Sequence, residues 1–169
     1  VQMLLQTPGV KLFDFPQAEA YSRRFTFLSA VTLPRGVVDL ARDMPSANIR
    51  MIAPTATLVY YHGGGFIVGD IDSHEAHCIR IANRTGAVVV SVGYRLAPED
   101  PFPAGVEDAL AALRWVHAER ARFGGADRPL AVGGDSAGGN FAAVAAIAAR
   151  DEGIALAVQF LLYPATDLR

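Results

Sequence analysis

Leu130-Ala131-Val132-Gly133-Gly134-Asp135-Ser136-Ala137-Gly138 is the stretch whose reading decides the fold. Leu130 to Gly133 is a short apolar run of the kind that forms a buried strand. Ala137 to Arg150 is Ala-rich and closes near Gly153, which predicts a helix. Between them, Gly134-Asp135-Ser136-Ala137-Gly138 leaves room only for a sharp strand-to-helix turn, with Ser136 at its tip. Gly134 and Gly138 remove side chains where the strand and the helix pass closest.

Upstream and downstream the same alternation recurs. Thr57-Leu58-Val59-Tyr60-Tyr61, Ala87-Val88-Val89-Val90-Ser91-Val92 and Leu156-Ala157-Val158-Gln159-Phe160-Leu161-Leu162 read as three further buried strands. Ser73 reads as the cap of a helix running through Ile81 to Arg84 and ended by Gly86. Val106, Ala109, Leu110, Leu113 and Val116 recur at helical spacing. Strands that are apolar throughout, alternating with helices, predict an α/β fold with a mostly parallel sheet covered on both faces. Ahead of Ala56 the pattern is weaker: Pro16 to Ser29 reads as a helix, and Val37–Arg42 with Ile49–Ile52 as edge strands.

A second string lies at the end of the first of these strands: His62-Gly63-Gly64-Gly65-Phe66. Successive glycines let a carbonyl oxygen approach bare backbone N–H groups. At average residue frequencies a G-x-S-x-G string arises by chance in roughly one chain in twenty of this length, and H-G-G-G in about one in a thousand. The pair, in this order and at these strand ends, therefore points to acyl transfer, with the serine as nucleophile and the glycine loop facing the developing oxyanion. A phosphate loop is the competing reading of the glycines, but no G-x-x-x-x-G-K-[ST] string is present.

Composition narrows the remaining classes. The 169 residues are 51% hydrophobic and 19% charged, with a net charge of −2. No Lys/Arg-rich run is present, which argues against a nucleic-acid or anionic-membrane surface. The longest apolar stretch, Ile154 to Ala165, is interrupted by Gln159 and Pro164 and is too short for a membrane span. Val1 to Gln6 lacks the pattern of a signal peptide, so a cytoplasmic location is expected. Cys78, the single cysteine, reads as a small buried hydrophobe.

Together with the two motifs, Tyr94-Arg95-Leu96-Ala97-Pro98-Glu99, Pro101-Phe102-Pro103-Ala104, Glu107-Asp108-Ala109 and Tyr163-Pro164-Ala165-Thr166-Asp167 give the chain a close resemblance to the hormone-sensitive-lipase-like branch of the α/β-hydrolase carboxylesterases. The likeness runs from about Val37 to the C-terminus. It departs from the family at Gly93, where Asp is usual, and at Asp100, where His is common. The resemblance implies an α/β-hydrolase fold ending after about its sixth strand, with residues 1–35 as a cap segment and 36–169 as the N-terminal part of the catalytic domain. It implies Ser136 as nucleophile, and Gly64, Gly65 and Ala137 as donors of the oxyanion hole. His62, Gly63, Asp135, Gly134 and Gly138 would support them, with His62 steadying the glycine loop rather than acting as base. No metal or organic cofactor is implied, and the substrate is expected to be a small-molecule ester of short to medium acyl chain.

In this family the order along the chain is serine, then Asp or Glu, then His. After Ser136 the carboxylates are Asp151, Glu152 and Asp167, and no histidine follows. The triad Asp and His are therefore expected outside this segment, on a longer chain or on a second chain carrying the C-terminal half; a homo-oligomer is the other expectation. His74 and His77 read as structural, and His117 as a surface or interface residue. The rival readings are a small-molecule-binding protein of carboxylesterase fold without catalysis, an amidase or peptidase using the same machinery, and an inactive fragment. Substitution of Gly64 or Gly65 by a β-branched residue is expected to damage turnover more than stability.

Overall fold

The computed structural model describes residues 10–14, 28–32, 54–123 and 125–167. In chain order its elements are β1 (Val10–Asp14), β2 (Leu28–Thr32), β3 (Thr57–Tyr61), α1 (Ile71–Thr85), β4 (Val88–Val92), α2 (Ala104–Glu119), a 3₁₀ turn at Arg120–Phe123, β5 (Leu130–Asp135), α3 (Ala137–Asp151) and β6 (Val158–Leu162). The strands form one sheet in the order β1-β2-β4-β3-β5-β6. β4, β3, β5 and β6 run parallel to one another, while β2 pairs antiparallel with β4 and β1 antiparallel with β2.

Side-chain alternation along the central strands explains why both faces are covered. Val59 and Tyr61 of β3, Val88, Val90 and Val92 of β4, and Leu130 and Val132 of β5 point to one face. There they pack on Ala109, Leu113 and Val116 of α2 and on Phe141, Ala142 and Ala145 of α3. Leu58, Tyr60, Val89 and Ala131 point the other way, onto Cys78 and Ala82 of α1. Each fully buried valine or leucine contributes roughly 1.5–3 kcal/mol relative to an exposed one, so this double layer dominates the stability of the described region. The small residues of α3 let its axis approach the sheet closely. Burial pushes the Cys78 thiol up to about 11, which keeps it protonated and unreactive as expected of a packing residue.

The α/β expectation is met, and several details differ. β6, expected as a buried strand, is largely exposed, with Val158 at 54% and Phe160 at 38%, because it is the last strand of the sheet and has a neighbour on one side only. Helix α1 starts earlier than expected: Asp70 is its N-cap, accepting from the Ser73 amide, and the Ser73 hydroxyl answers the Asp70 amide in a reciprocal capping box. Ser73 is thus the third helical residue rather than the cap, while Gly86 closes the helix in the left-handed conformation as expected. Leu28 and Ser29, expected at the end of a helix, lie in β2, because their backbone is needed to pair with both β1 and β4. Both β1 and β2 come from within residues 1–35; the remainder of that range, with the strands expected at Val37–Arg42 and Ile49–Ile52, lies outside the described residues.

The loop after β4 is pinned to the start of α2. Arg95 Nε and Nη2 reach both oxygens of Asp108 at 2.7–3.0 Å, and the Arg95 amide donates to Asp108 Oδ2 at 2.8 Å. Asp108 is buried, so this two-pronged pair satisfies a carboxylate that would otherwise be costly inside the fold. It holds Tyr94 over the end of β3, where the site is built.

Candidate active site

The turn between β5 and α3 forces Ser136 into a backbone conformation of φ 52° and ψ −116°, which an L-residue adopts only under constraint. Such a residue costs of order 1–3 kcal/mol, so surrounding contacts must hold it. The Ser136 amide donates to the Leu162 carbonyl of β6 at 2.9 Å. The Ser136 carbonyl accepts from the Asn140 amide at 3.1 Å and from Ala165 at 3.0 Å. Asn140 Nδ2 donates to the Ala165 carbonyl at 2.8 Å, closing a small ring of bonds behind the turn. The close passage expected of Gly134 and Gly138 is present. A Cβ on Gly138 would overlap the Tyr61 carbonyl, and one on Gly134 would overlap the Gly138 backbone.

The Ser136 hydroxyl is half-buried at the N-terminus of α3, and no described side chain hydrogen-bonds to it. The unpaired N–H groups of that first turn favour negative charge beside it.

At the end of β3 the chain makes its own sharp turn. Gly64, Gly65 and Phe66 have φ of 131°, 62° and 67°. The Gly64 carbonyl accepts from Ile67 and Val68 at 3.1 and 3.0 Å, and the Phe66 carbonyl from Ala97 at 3.0 Å. The amides of Gly64 and Gly65 donate to no described acceptor. These two glycines are not equivalent. A Cβ on Gly64 would overlap the Val68 carbonyl, whereas Gly65 has nothing within 4 Å of that position. Substitution at Gly64 is therefore expected to cost stability as well as turnover, whereas at Gly65 only the positive φ opposes a side chain.

Asp135 joins the two turns. Its Oδ1 accepts from the Gly63 amide at 3.0 Å and from the Tyr60 hydroxyl at 2.8 Å, across 75 positions of sequence. Burial, and then the bond to Asp135, hold the Tyr60 phenol well above its ordinary value, so it remains a donor. A Cβ on Gly63 would strike Asp135 Oδ2, which leaves glycine as the residue that fits. Asp135 thus fastens the glycine loop to the residue immediately before Ser136.

The structure gives His62 a supporting geometry. Its ring is buried, stacked on Tyr94 with centroids 4.2 Å apart, and its Nδ1 lies 2.7 Å from the Gly63 carbonyl. A carbonyl only accepts, so Nδ1 carries the proton. The Tyr94 hydroxyl donates to the His62 carbonyl at 2.6 Å. Of the other histidines, His77 packs on the Tyr60 ring and His74 faces Asp135. Neither these two nor His117 bonds to Ser136. Tyr60, Tyr94 and His74 were not singled out as site residues from sequence; the position of Tyr60 in β3, two before His62, is the one signal that points to it.

Burial, partly offset by the bond to Gly63, holds the His62 imidazole below its ordinary value. The unfolded chain takes up this proton near pH 6.5, the folded one only at lower pH. Between those two values the unfolded state binds more protons, so stability should fall as pH drops through about 6.5 and level off below the folded value. Denaturant midpoints recorded from about pH 8 to pH 5 should show a shallower fall in His62→Asn than in the parent. Equal slopes in the two would remove His62 as the titrating group.

No group of three or more metal-ligating side chains occurs among the described residues, and no helix among them is long and apolar enough to cross a membrane. A parallel sheet with helices on both faces, carrying a strained serine at a strand-to-helix turn, defines an α/β hydrolase. The chain belongs to that family: a family model described as alpha/beta hydrolase fold matches residues 58–169. Its relatives lie in the hormone-sensitive-lipase-like carboxylesterase branch. It is 50% identical over 142 residues to the esterase LipI of Mycobacterium tuberculosis, covering 77% of this chain and 44% of that one. It is 45% identical over 169 residues to an ethyl acetate hydrolase of Pseudomonas putida, covering 89% and 53%. The esterase of Pyrobaculum calidifontis superposes with a TM-score of 0.75 at 43% identity, covering 92% of this chain and 45% of that one. The chain thus spans about half the length of the relatives it matches.

Proposed function

We propose that this chain carries the nucleophile and the oxyanion hole of a serine carboxylesterase. Ser136 Oγ attacks the carbonyl carbon of a small-molecule ester while its proton passes to a histidine base oriented by a carboxylate. The amides of Gly64, Gly65 and Ala137 receive the oxyanion, the C–O bond to the alcohol breaks, and the alcohol leaves with the proton from the base. Water then hydrolyses the acyl-serine by the reverse proton path, regenerating Ser136. No metal or organic cofactor takes part. His62, Gly63, Asp135, Gly134 and Gly138 hold the geometry. The base and its carboxylate come from sequence outside this segment, on a longer chain or a second chain. Short to medium acyl esters are the substrate class, the cytoplasm the location, and the part of residues 1–35 outside β1 and β2 a cap over the acyl pocket.

The observation that carries this reading is the bond from the Gly63 amide to Asp135, which sets a loop with two uncommitted N–H groups beside a serine at positive φ. The test is exposure of the full-length protein to a fluorophosphonate, followed by peptide mapping, with parallel turnover of p-nitrophenyl esters and matched anilides. A single adduct on Ser136 and preferential ester turnover are expected. Absence of both the adduct and ester turnover would overturn the reading; faster turnover of the anilide would move it to an amidase.

A further inference from the structure

The carboxylate of Asp135 is satisfied unequally. Oδ1 accepts two hydrogen bonds, from Tyr60 and from Gly63, while Oδ2 accepts none from the backbone or from a hydroxyl among the described residues. The group facing Oδ2 is His74 Nε2, at 3.6 Å. The Asp135 side chain is 12% exposed, so Oδ2 keeps only limited contact with solvent and a protein donor there adds to its hydrogen bonding.

The orientation of His74 is itself fixed. Asp70 and Ser73 exchange hydrogen bonds at the start of α1, and the Ser73 hydroxyl meets His74 Nδ1 at 3.0 Å. With Nδ1 held by Ser73, and the ring against His62 at a centroid distance of 5.3 Å, the opposite nitrogen is turned toward Asp135. The Ser73 hydroxyl carries one proton: given to His74 Nδ1 rather than to the Asp70 carbonyl, it leaves the neutral ring's proton on Nε2, and the imidazolium presents a donor in that direction as well. A gap of 3.6 Å closes to a hydrogen bond with a small rotation of either side chain, and such contacts commonly tighten when substrate is bound.

We propose that His74 is a positioning residue for the reaction: its Nε2–H completes the hydrogen-bond set of Asp135 and so keeps Oδ1 on Gly63, holding the glycine loop in register with Ser136. The capping box of α1 thereby becomes part of the site, because it sets the ring that sets the carboxylate. This inference rests on Ser136 and the glycine loop acting as proposed above. His74 touches neither substrate nor the reacting atoms; without it, the carboxylate is free to turn and the N–H groups of Gly64 and Gly65 lose alignment. Displacements of about 1 Å at such donors change rates by up to about a hundredfold.

The test uses the full-length esterase with His74→Ala, His74→Gln and His74→Asn, alongside Ser136→Ala. In His74→Ala, kcat for a p-nitrophenyl ester should fall roughly 10- to 100-fold with KM within about twofold of the parent. His74→Gln places an amide nitrogen near the position of Nε2 and should recover most of kcat. His74→Asn reaches only the position of Nδ1, restores the contact to Ser73 alone, and should not. Independently of turnover, amide exchange at Gly63 should speed up in His74→Ala and return toward the parent in His74→Gln. Parent-like kcat in His74→Ala, or equal recovery by Asn and Gln, would overturn the proposal, as would unchanged exchange at Gly63. Full turnover in Ser136→Ala would instead overturn the nucleophile reading, so the two failures are distinguishable.

Discussion

Ser136→Ala is expected to abolish ester turnover in the full-length protein, with a fall in kcat of roughly a millionfold, since removal of the nucleophile disables the triad as a unit. Stability should scarcely change. The hydroxyl makes no bond to a described side chain, and the strained φ of 52° is imposed equally on serine and alanine. The amide and carbonyl that hold the turn to Leu162, Asn140 and Ala165 remain in the variant. Turnover of a p-nitrophenyl ester and thermal melting, measured on the same preparation, check both halves. Retained turnover would sink the nucleophile assignment, and a large drop in Tm with it would mark the hydroxyl as structural.

Gly138→Ala is expected to have the opposite signature. One methyl group at that position would overlap the Tyr61 carbonyl and come within 2.5 Å of the His62 carbonyl, both of them backbone at the end of β3. Neither neighbour can rotate aside, so β3 and α3 must separate, and the loss should be about 3–5 kcal/mol. Chemical denaturation measures it directly. The useful partner is Gly65→Ala, where no atom lies within 4 Å and only the positive φ of 62° opposes the methyl, a cost of about 1–2 kcal/mol. If both variants lose similar stability, the close passage of β3 and α3 is not the constraint that keeps glycine at 138. If Gly65→Ala also loses turnover per folded molecule, the bare loop is needed for the chemistry and not only for the fold.

β3 and β4 were legible in the sequence because each is an apolar run of mostly β-branched or aromatic residues, and β5 because the apolar Leu130-Ala131-Val132 leads straight into the glycine-flanked serine turn. The end of α1 was legible because Gly86 takes the left-handed conformation there. Its start was not: Asp70 and Ser73 both favour an N-cap, and the reciprocal pair is recognised only when both bonds are seen. β1 and β2 were missed for a different reason. Val10–Asp14 and Leu28–Thr32 have no strong strand pattern of their own, and become strands by pairing with each other and with β4. Pairing partners that distant leave little mark on a local window of sequence.

The sequence by itself determined the chemistry on offer: a serine between glycines at a strand-to-helix turn, and three glycines after a histidine at another strand end. Residue type alone fixes those properties, since only glycine leaves the backbone bare and takes a φ of 131°, as at Gly64, without strain. Tertiary structure decided how the two turns are held together. Tyr60, Gly63 and His74 meet Asp135 through pairing of β3 with β5 and packing of α1 on the sheet, contacts between residues far apart in the chain. A carboxylate that reads as one more polar residue in a turn becomes the fastening of the site only once folding has buried it beside its donors.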